Sequence, residues 1–234
     1  MPNNMYPWAS GDEGGTVNML AGVCPHHCPY CYIADMCKGR PVLQRKYSGA
    51  IRLDRNGYEH GLKGKHGTVF MSSMHDLFAD AVPEDIIRQI LARCKERRFS
   101  HLTYLWQTKN PLRFNAFIDR YPKQSIFGTT IESNRSLVVS NAPSVDRRHR
   151  AMECLKLKPK MVSIEPIMDF NLDVLVGWMK DIRPAFVSVG ADSKNKHLVE
   201  PPADKIKALV EALRGFTEVR LKENLVRLAP RLCA

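Results

Sequence analysis

Three cysteines fall within eight residues, in Gly22-Val23-Cys24-Pro25-His26-His27-Cys28-Pro29-Tyr30-Cys31-Tyr32. The spacing of Cys24, Cys28 and Cys31 is C-x3-C-x2-C. Thiolates hold iron–sulfur clusters, usually four to a cluster. Three close ligands leave one iron of a [4Fe–4S] cluster open to a small molecule that chelates it. Pro25 and Pro29 restrict the loop backbone, which favours sulfurs turned to one side. Zinc is the rival. It takes a closed tetrahedral set, for which Cys37, His26 or His27 offers a fourth ligand. Zinc motifs more often pair two knuckles, and there is no second one here. Three unligated cysteines are the remaining alternative. The spacing favours the cluster.

A loop of this kind needs a scaffold. Short apolar runs recur at 16–23, 68–73, 102–108, 125–131, 160–164, 185–189 and 217–221. Several are continuously apolar, as strands covered on both faces are. Helical patterns lie between them. In the first, Pro83, Glu84 and Asp85 open a stripe of Ile86, Ile87, Ile90 and Leu91 that closes on basic residues, which suit the negative pole of a helix. The others span 110–120, 144–157, 173–182 and 203–213. Strand alternating with helix predicts parallel βα units. About six fit, too few for a closed eight-fold barrel. The expectation is a single α/β domain built as a partial (βα)6 TIM-like barrel over 16–225, with an N-terminal extension at 1–15 and a tail at 226–234. Residues 35–66 break the alternation. They hold eight Lys and Arg against three acids, and read as a long basic insertion after the cysteine loop.

The whole chain of 234 residues carries 35 Lys and Arg against 24 Asp and Glu, a net charge of +11. Such a surplus suits an anionic partner, nucleic acid first. The plain alternative is a basic enzyme without one. Seven cysteines, an odd number, in a chain with no export signal make a disulfide framework a poor explanation. Cys94 and Cys154 fall in helical patterns and read as small core residues; Cys37 and Cys233 have no assigned role. No apolar run reaches the ~18–20 residues of a membrane helix. A cytoplasmic protein with no membrane partner is expected.

The cysteine motif after the first strand, with Tyr30 just before its last cysteine, resembles the signature of the radical S-adenosylmethionine (SAM) enzymes. Val69-Phe70-Met71-Ser72-Ser73-Met74-His75-Asp76-Leu77-Phe78, Gln107-Thr108-Lys109, Ser163-Ile164-Glu165-Pro166 and Val187-Ser188-Val189-Gly190-Ala191 resemble a small phage- and bacterium-borne group of that superfamily. Cys24-Pro25 through Tyr32 is also similar, over that short stretch, to spore photoproduct lyase, a DNA-repair member. The resemblance implies a cluster at the open top of the barrel, held by Cys24, Cys28 and Cys31. SAM would chelate its open iron. An external electron donor of flavodoxin or ferredoxin type would drive cleavage to a 5′-deoxyadenosyl radical, which takes hydrogen from a substrate.

The same resemblance places SAM contacts at the strand ends. Ser72 and Ser73 stand where many relatives have Gly-Gly-Glu, a departure that leaves hydroxyls and carbonyls to receive the SAM ammonium. Lys109 offers a cation to the SAM carboxylate. Glu132 suits the ribose diol, since a carboxylate accepts two bonds at once, with Thr129 and Thr130 beside it. Pro166 holds Glu165 extended, at the top of its strand. Tyr30 and Gly190 complete the set. His75 and Asp76 follow the second strand, and Asp76 reads first as a turn cap.

The expected substrate is a nucleic acid base or nucleotide, in DNA or RNA, with Arg45, Lys46 and Arg52 among the phosphate contacts. A peptide or small metabolite is the alternative substrate. A zinc-stabilised nucleic-acid-binding module is the alternative of another class. Replacing any one of Cys24, Cys28 or Cys31 with Ala is expected to abolish iron binding, while Cys94→Ala and Cys154→Ala leave it intact; iron analysis after anaerobic reconstitution checks this.

Overall fold

The computed structural model of the chain describes residues 14–137, 140–194 and 196–232. Seven strands form one sheet: β1 (Gly14–Val17), β4 (Thr68–Met71), β5 (Thr103–Thr108), β6 (Ser125–Thr130), β7 (Lys160–Ile164), β8 (Phe186–Val189) and β9 (Glu218–Leu221). Each pairs in parallel with the next, in chain order, and β1 and β9 are the two edges. The result is a curled half-barrel. Its helices are α4 (Glu84–Cys94), α5 (Val145–Cys154), α6 (Leu172–Ile182) and α7 (Ala203–Arg214). The fold agrees with the partial barrel expected.

Alternation along each strand sorts the side chains. Val69, Tyr104, Trp106, Phe127, Val162 and Val187 belong to the large core shared with the helices, where Ile87, Ile90, Met152, Met179 and Leu209 meet them. The opposite face is concave and has its own small apolar cluster of Phe70, Leu105, Met161 and Phe186. Two residues further along these strands the same face turns polar, at Ser72, Gln107, Ser163 and Ser188. The carboxyl ends of the strands are therefore the polar end of the barrel, where parallel βα folds carry their sites.

Three stretches differ from the sequence expectation. The first predicted strand divides. The chain leaves the sheet after Val17, and β2 (Leu20–Ala21) pairs antiparallel with β3 (Arg52–Leu53) in a separate ribbon. Asn18 makes the break, its side-chain oxygen accepting from the Met74 N–H at 2.8 Å. Residues 110–120 form a 3₁₀ segment, Pro111–Phe117, rather than an α-helix. Pro111, Phe114 and Phe117 are its buried residues, and a three-residue spacing aligns them only at three residues per turn.

The basic insertion is folded, not a loop. It holds α1 (Ile33–Cys37), α2 (Pro41–Lys46), β3 and α3 (Arg55–His60). Lys46 Nζ pairs with Asp54 at 2.6 Å. Buried Arg93 of α4 donates to the carbonyls of Tyr58 and Glu59 at 3.1 and 2.8 Å. Of the expected terminal extensions, residues 1–13 and 233–234 lie outside the described residues, so Cys233 does too.

Gly57 is where the insertion meets the sheet. A Cβ there stands 2.2 Å from the Asn18 carbonyl oxygen, a backbone atom that cannot move aside cheaply. Gly57→Ala is expected to destabilise the fold by about 1–3 kcal/mol, as overpacking does, read as a lowered urea midpoint.

Candidate functional site

The cysteine loop runs from the β2 ribbon to α1, and its backbone is pinned at several points. Gly22 and Val23 N–H groups bond the carbonyls of Lys46 and Gly49 at 2.8 and 3.0 Å. Asn141 donates from its backbone to the His26 carbonyl at 2.8 Å and from its side chain to the Pro25 carbonyl at 3.1 Å. His75 Nε2 lies 3.2 Å from the Val23 carbonyl. The Tyr32 hydroxyl donates to the Ser73 carbonyl at 2.6 Å. Buried His26 places Nε2 2.8 Å from Asp76.

Cys24, Cys28 and Cys31 are free thiols, half-buried. Among the described residues no three His, Cys, Asp or Glu side chains are gathered to hold a metal ion, although Cys28 lies close enough to Cys24 and to Cys31 for their charges to interact. Burial pushes the Cys24 thiol up to about 11, against backbone N–H donors from His26 and Asp76. Burial also raises Cys28 and Cys31, while the Lys109 ammonium opposes it at both and the Ile33 N–H opposes it at Cys31. Thiols on one loop, with backbone N–H groups at Cys24 and Cys31 and the Lys109 charge close to Cys28 and Cys31, are the kind of donor set an anionic iron–sulfur cluster calls for. The residues present fit such a group.

Glu132 is the centre of the strand ends. It follows β6, is 2% exposed, and has no water to lean on. Lys109 Nζ, after β5, reaches its Oε1; Arg148 of α5 reaches its Oε2 at 2.8 Å. The Tyr30 hydroxyl also donates to Glu132 Oε1 and accepts from Lys109. Burial raises the Glu132 carboxyl, but Lys109 and Arg148 overcome it and hold it well below the usual range. Arg148, 3% exposed, also donates from Nε to the Pro143 carbonyl and from Nη1 to the Thr130 carbonyl.

A second charged pair faces the same mouth. Glu165 accepts from buried Lys222 and from Asn224 Nδ2, the latter at 3.1 Å. Gly190 makes room for it: a Cβ there meets Glu165 Oε1 at 2.8 Å. Ser72 is buried, adopts a left-handed φ of 61° and has no hydrogen-bond partner for its hydroxyl. Ser73 shares hydrogen bonds with the Asn18 side chain at 3.3 and 3.4 Å. Thr130 accepts from Gln107 Nε2 at 3.0 Å, whereas Thr129 donates to the Thr108 carbonyl. The structure thus brings Tyr30, Lys109 and Glu132 into contact, and Glu165 beside Gly190.

Some residues differ from their expected roles. Cys94 is buried as expected, but Cys154 is exposed; it ends α5, whose buried positions are Arg148, His149 and Met152. Lys46 and Arg52 also make bonds within the insertion. Lys46 is bound to Asp54, and the Arg52 guanidinium donates to the carbonyls of Arg45, Lys46, Ser48 and Ala50. Arg45 is exposed, as are Arg40 and Arg55. Arg148, Lys222 and Asn224 were missed by sequence reasoning. Lys222 carried a signal, since it continues the alternation of Glu218 and Arg220 past the end of β9.

The profile of a family described as protein of unknown function (DUF5131) matches residues 16–198. No curated protein matches the chain. Among solved structures, a spore photoproduct lyase double mutant with bound AdoMet and dinucleoside spore photoproduct is similar at a TM-score of 0.62 and 11% identity, over 94% of this chain and 79% of that one. A single mutant with the dinucleoside spore photoproduct gives 0.63 at 11% identity, over the same shares. Another single mutant gives 0.63 at 12% identity, over 92% and 78%. At this identity the likeness establishes the fold.

Replacing Glu132 with Gln leaves Lys109 and Arg148 facing each other without a counter-charge. Breaking a buried pair this way costs about 3–5 kcal/mol. The Glu132 carboxyl is held below its unfolded value, so its stabilisation is complete above about pH 5 and fades as pH falls through the folded value. Denaturation midpoints from pH 7 down to pH 3 are expected to show Glu132→Gln much less stable at pH 7, with the gap narrowing towards pH 3.

Proposed function

This chain belongs to the DUF5131 family, whose description names no activity, and from its site we propose that it is a radical SAM enzyme acting on nucleic acid. The observation that carries the reading is the position of Cys24, Cys28 and Cys31: on the loop that follows the first strand of a parallel half-barrel, beside the polar strand ends. The fold is shared with spore photoproduct lyase, one of whose structures holds AdoMet and a dinucleoside photoproduct.

In this reading the three cysteines hold a [4Fe–4S] cluster, and an external reductant of flavodoxin or ferredoxin type supplies its electron. When bound, the cluster supplies the electron that cleaves SAM to a 5′-deoxyadenosyl radical, which abstracts hydrogen from the substrate. The chain's own part is to bind and orient. Ser72 and Ser73 offer oxygens to an ammonium. Lys109 stands over the Tyr30 ring, 4.9 Å from its centroid, and gives a carboxylate a cation next to the loop. Thr130, Glu132, Glu165 and Gly190 line the remaining strand ends. Exposed Arg40, Arg45 and Arg55 sit on the insertion that follows the last cysteine, where phosphates can be held outside while one base or sugar carbon reaches the mouth. A cytoplasmic setting belongs to the same reading.

Anaerobic reconstitution tests it. The expected product is a brown protein absorbing near ~400 nm that releases 5′-deoxyadenosine from SAM when reduced. A colourless protein with stoichiometric zinc overturns the enzyme reading in favour of a zinc-stabilised binding module. For the substrate, labelled single- and double-stranded oligonucleotides are expected to bind with a salt slope near 0.7–0.9 per phosphate contact, and binding is expected to weaken when Arg40, Arg45 and Arg55 are changed together to Gln. No binding with cluster and SAM in place points instead to a peptide or small metabolite.

A further inference from the structure

We propose that Asp76 is the positioning residue of the cysteine loop: its carboxylate, received by three separate segments, sets where Cys24, Cys28 and Cys31 stand relative to the strand ends. This rests on the reading that these cysteines hold a cluster.

Asp76 lies in the turn after β4. A carboxylate that merely caps this turn needs only the N–H two residues on, and Asp76 Oδ1 does accept from Phe78 N at 3.0 Å. Three further donors serve no such purpose. Thr108 Oγ1 donates to Oδ1 at 2.7 Å and the Lys109 N–H to Oδ2 at 2.7 Å, both from the end of β5. His26 Nε2, from inside the cysteine loop, meets Oδ2 at 2.8 Å. The His26 and Asp76 side chains are nearly buried, so water does not compete for these bonds. The backbone reinforces the side chain, since the N–H groups of Asp76 and His26 both serve the Cys24 sulfur. The same β5 end carries Lys109, the cation bound to Glu132. One carboxylate therefore registers the loop against the strand ends proposed to contact SAM.

Asn is the sharpest probe. Its amide nitrogen replaces one oxygen and brings N–H against N–H, at Lys109 or at Phe78, neither of which can reverse. Groups behind metal ligands typically matter 10–100-fold to metal retention. In reconstituted Asp76→Asn, a ferrous chelator is expected to strip iron at least tenfold faster than from the unaltered protein. In the cluster-free protein, iodoacetamide is expected to alkylate Cys24 several-fold faster while buried Cys94 stays unreactive, as mass spectrometry reads. His26→Ala removes only the loop-side bond and leaves the other three, so it decides the matter if Asp76→Asn does not fold. It is expected to behave like Asp76→Asn, and His26→Gln, which restores an N–H at similar reach, to recover at least part of the loss. Combining His26→Ala with Asp76→Asn is expected to add nothing to the worse single variant. Unchanged iron loss and unchanged Cys24 alkylation in both single variants overturn the proposal, and so do additive effects that track the melting temperature. If the unaltered protein takes up no iron, the cluster reading falls, while the alkylation measurements still decide whether Asp76 positions the loop.

Discussion

Glu132 has no route to water. A carboxylate so placed must be neutralised by the protein itself or not be charged at all. Lys109 and Arg148 do this, and Tyr30 takes a further lone pair. These partners come from different places: the end of β5, the second turn of α5, and the cysteine loop. Satisfying one charge therefore fixes the spatial relation of two strand ends, a helix and the loop. If any of them shifts, a buried charge is left unpaired, so the arrangement moves as a unit or not at all.

The mouth of the half-barrel repeats the device on its other side, where Glu165, Lys222 and Asn224 join the ends of β7 and β9 across Gly190. The same concave face carries the buried serines Ser72, Ser163 and Ser188 above an apolar floor. Polarity thus rises along the concave wall from the amino to the carboxyl ends of the strands.

Much of this was legible because burial imposes a period. After β1, which shares only residues 16 and 17 with its expected run, every strand of the main sheet was foreseen within two residues, and β7 to the residue, since Met161 on one face and Val162 and Ile164 on the other are all apolar. Lys109, Glu132 and Glu165 could be picked out because a charge directly after such a run has nowhere to go but the barrel mouth. The insertion was illegible. Its helices are one or two turns long, too short to hold together on propensity, and they exist because Lys46 meets Asp54 and Arg93 meets the carbonyls of α3. Arg148 was hidden among the charged residues of α5, where a basic side chain reads as solvated. The reach of Asp76 was hidden because an acid in a turn reads as a local cap, and the partners that make it more lie 32 and 50 residues away.

The strand order has a consequence for how the molecule is assembled. From β4 onwards every strand joins a neighbour that has just emerged before it, with one helical crossover to close. Only β1 must wait, since about fifty residues separate it from β4, and closing a longer loop is entropically dearer, though the penalty grows slowly. It is also an edge, with a partner on one side alone. The segment that bears the cysteines is thus attached through the pairing least secured by its own sequence neighbourhood. A ligand that grips the loop only when β1 is docked would add its binding free energy to that docking, coupling the amino-terminal edge to the loop.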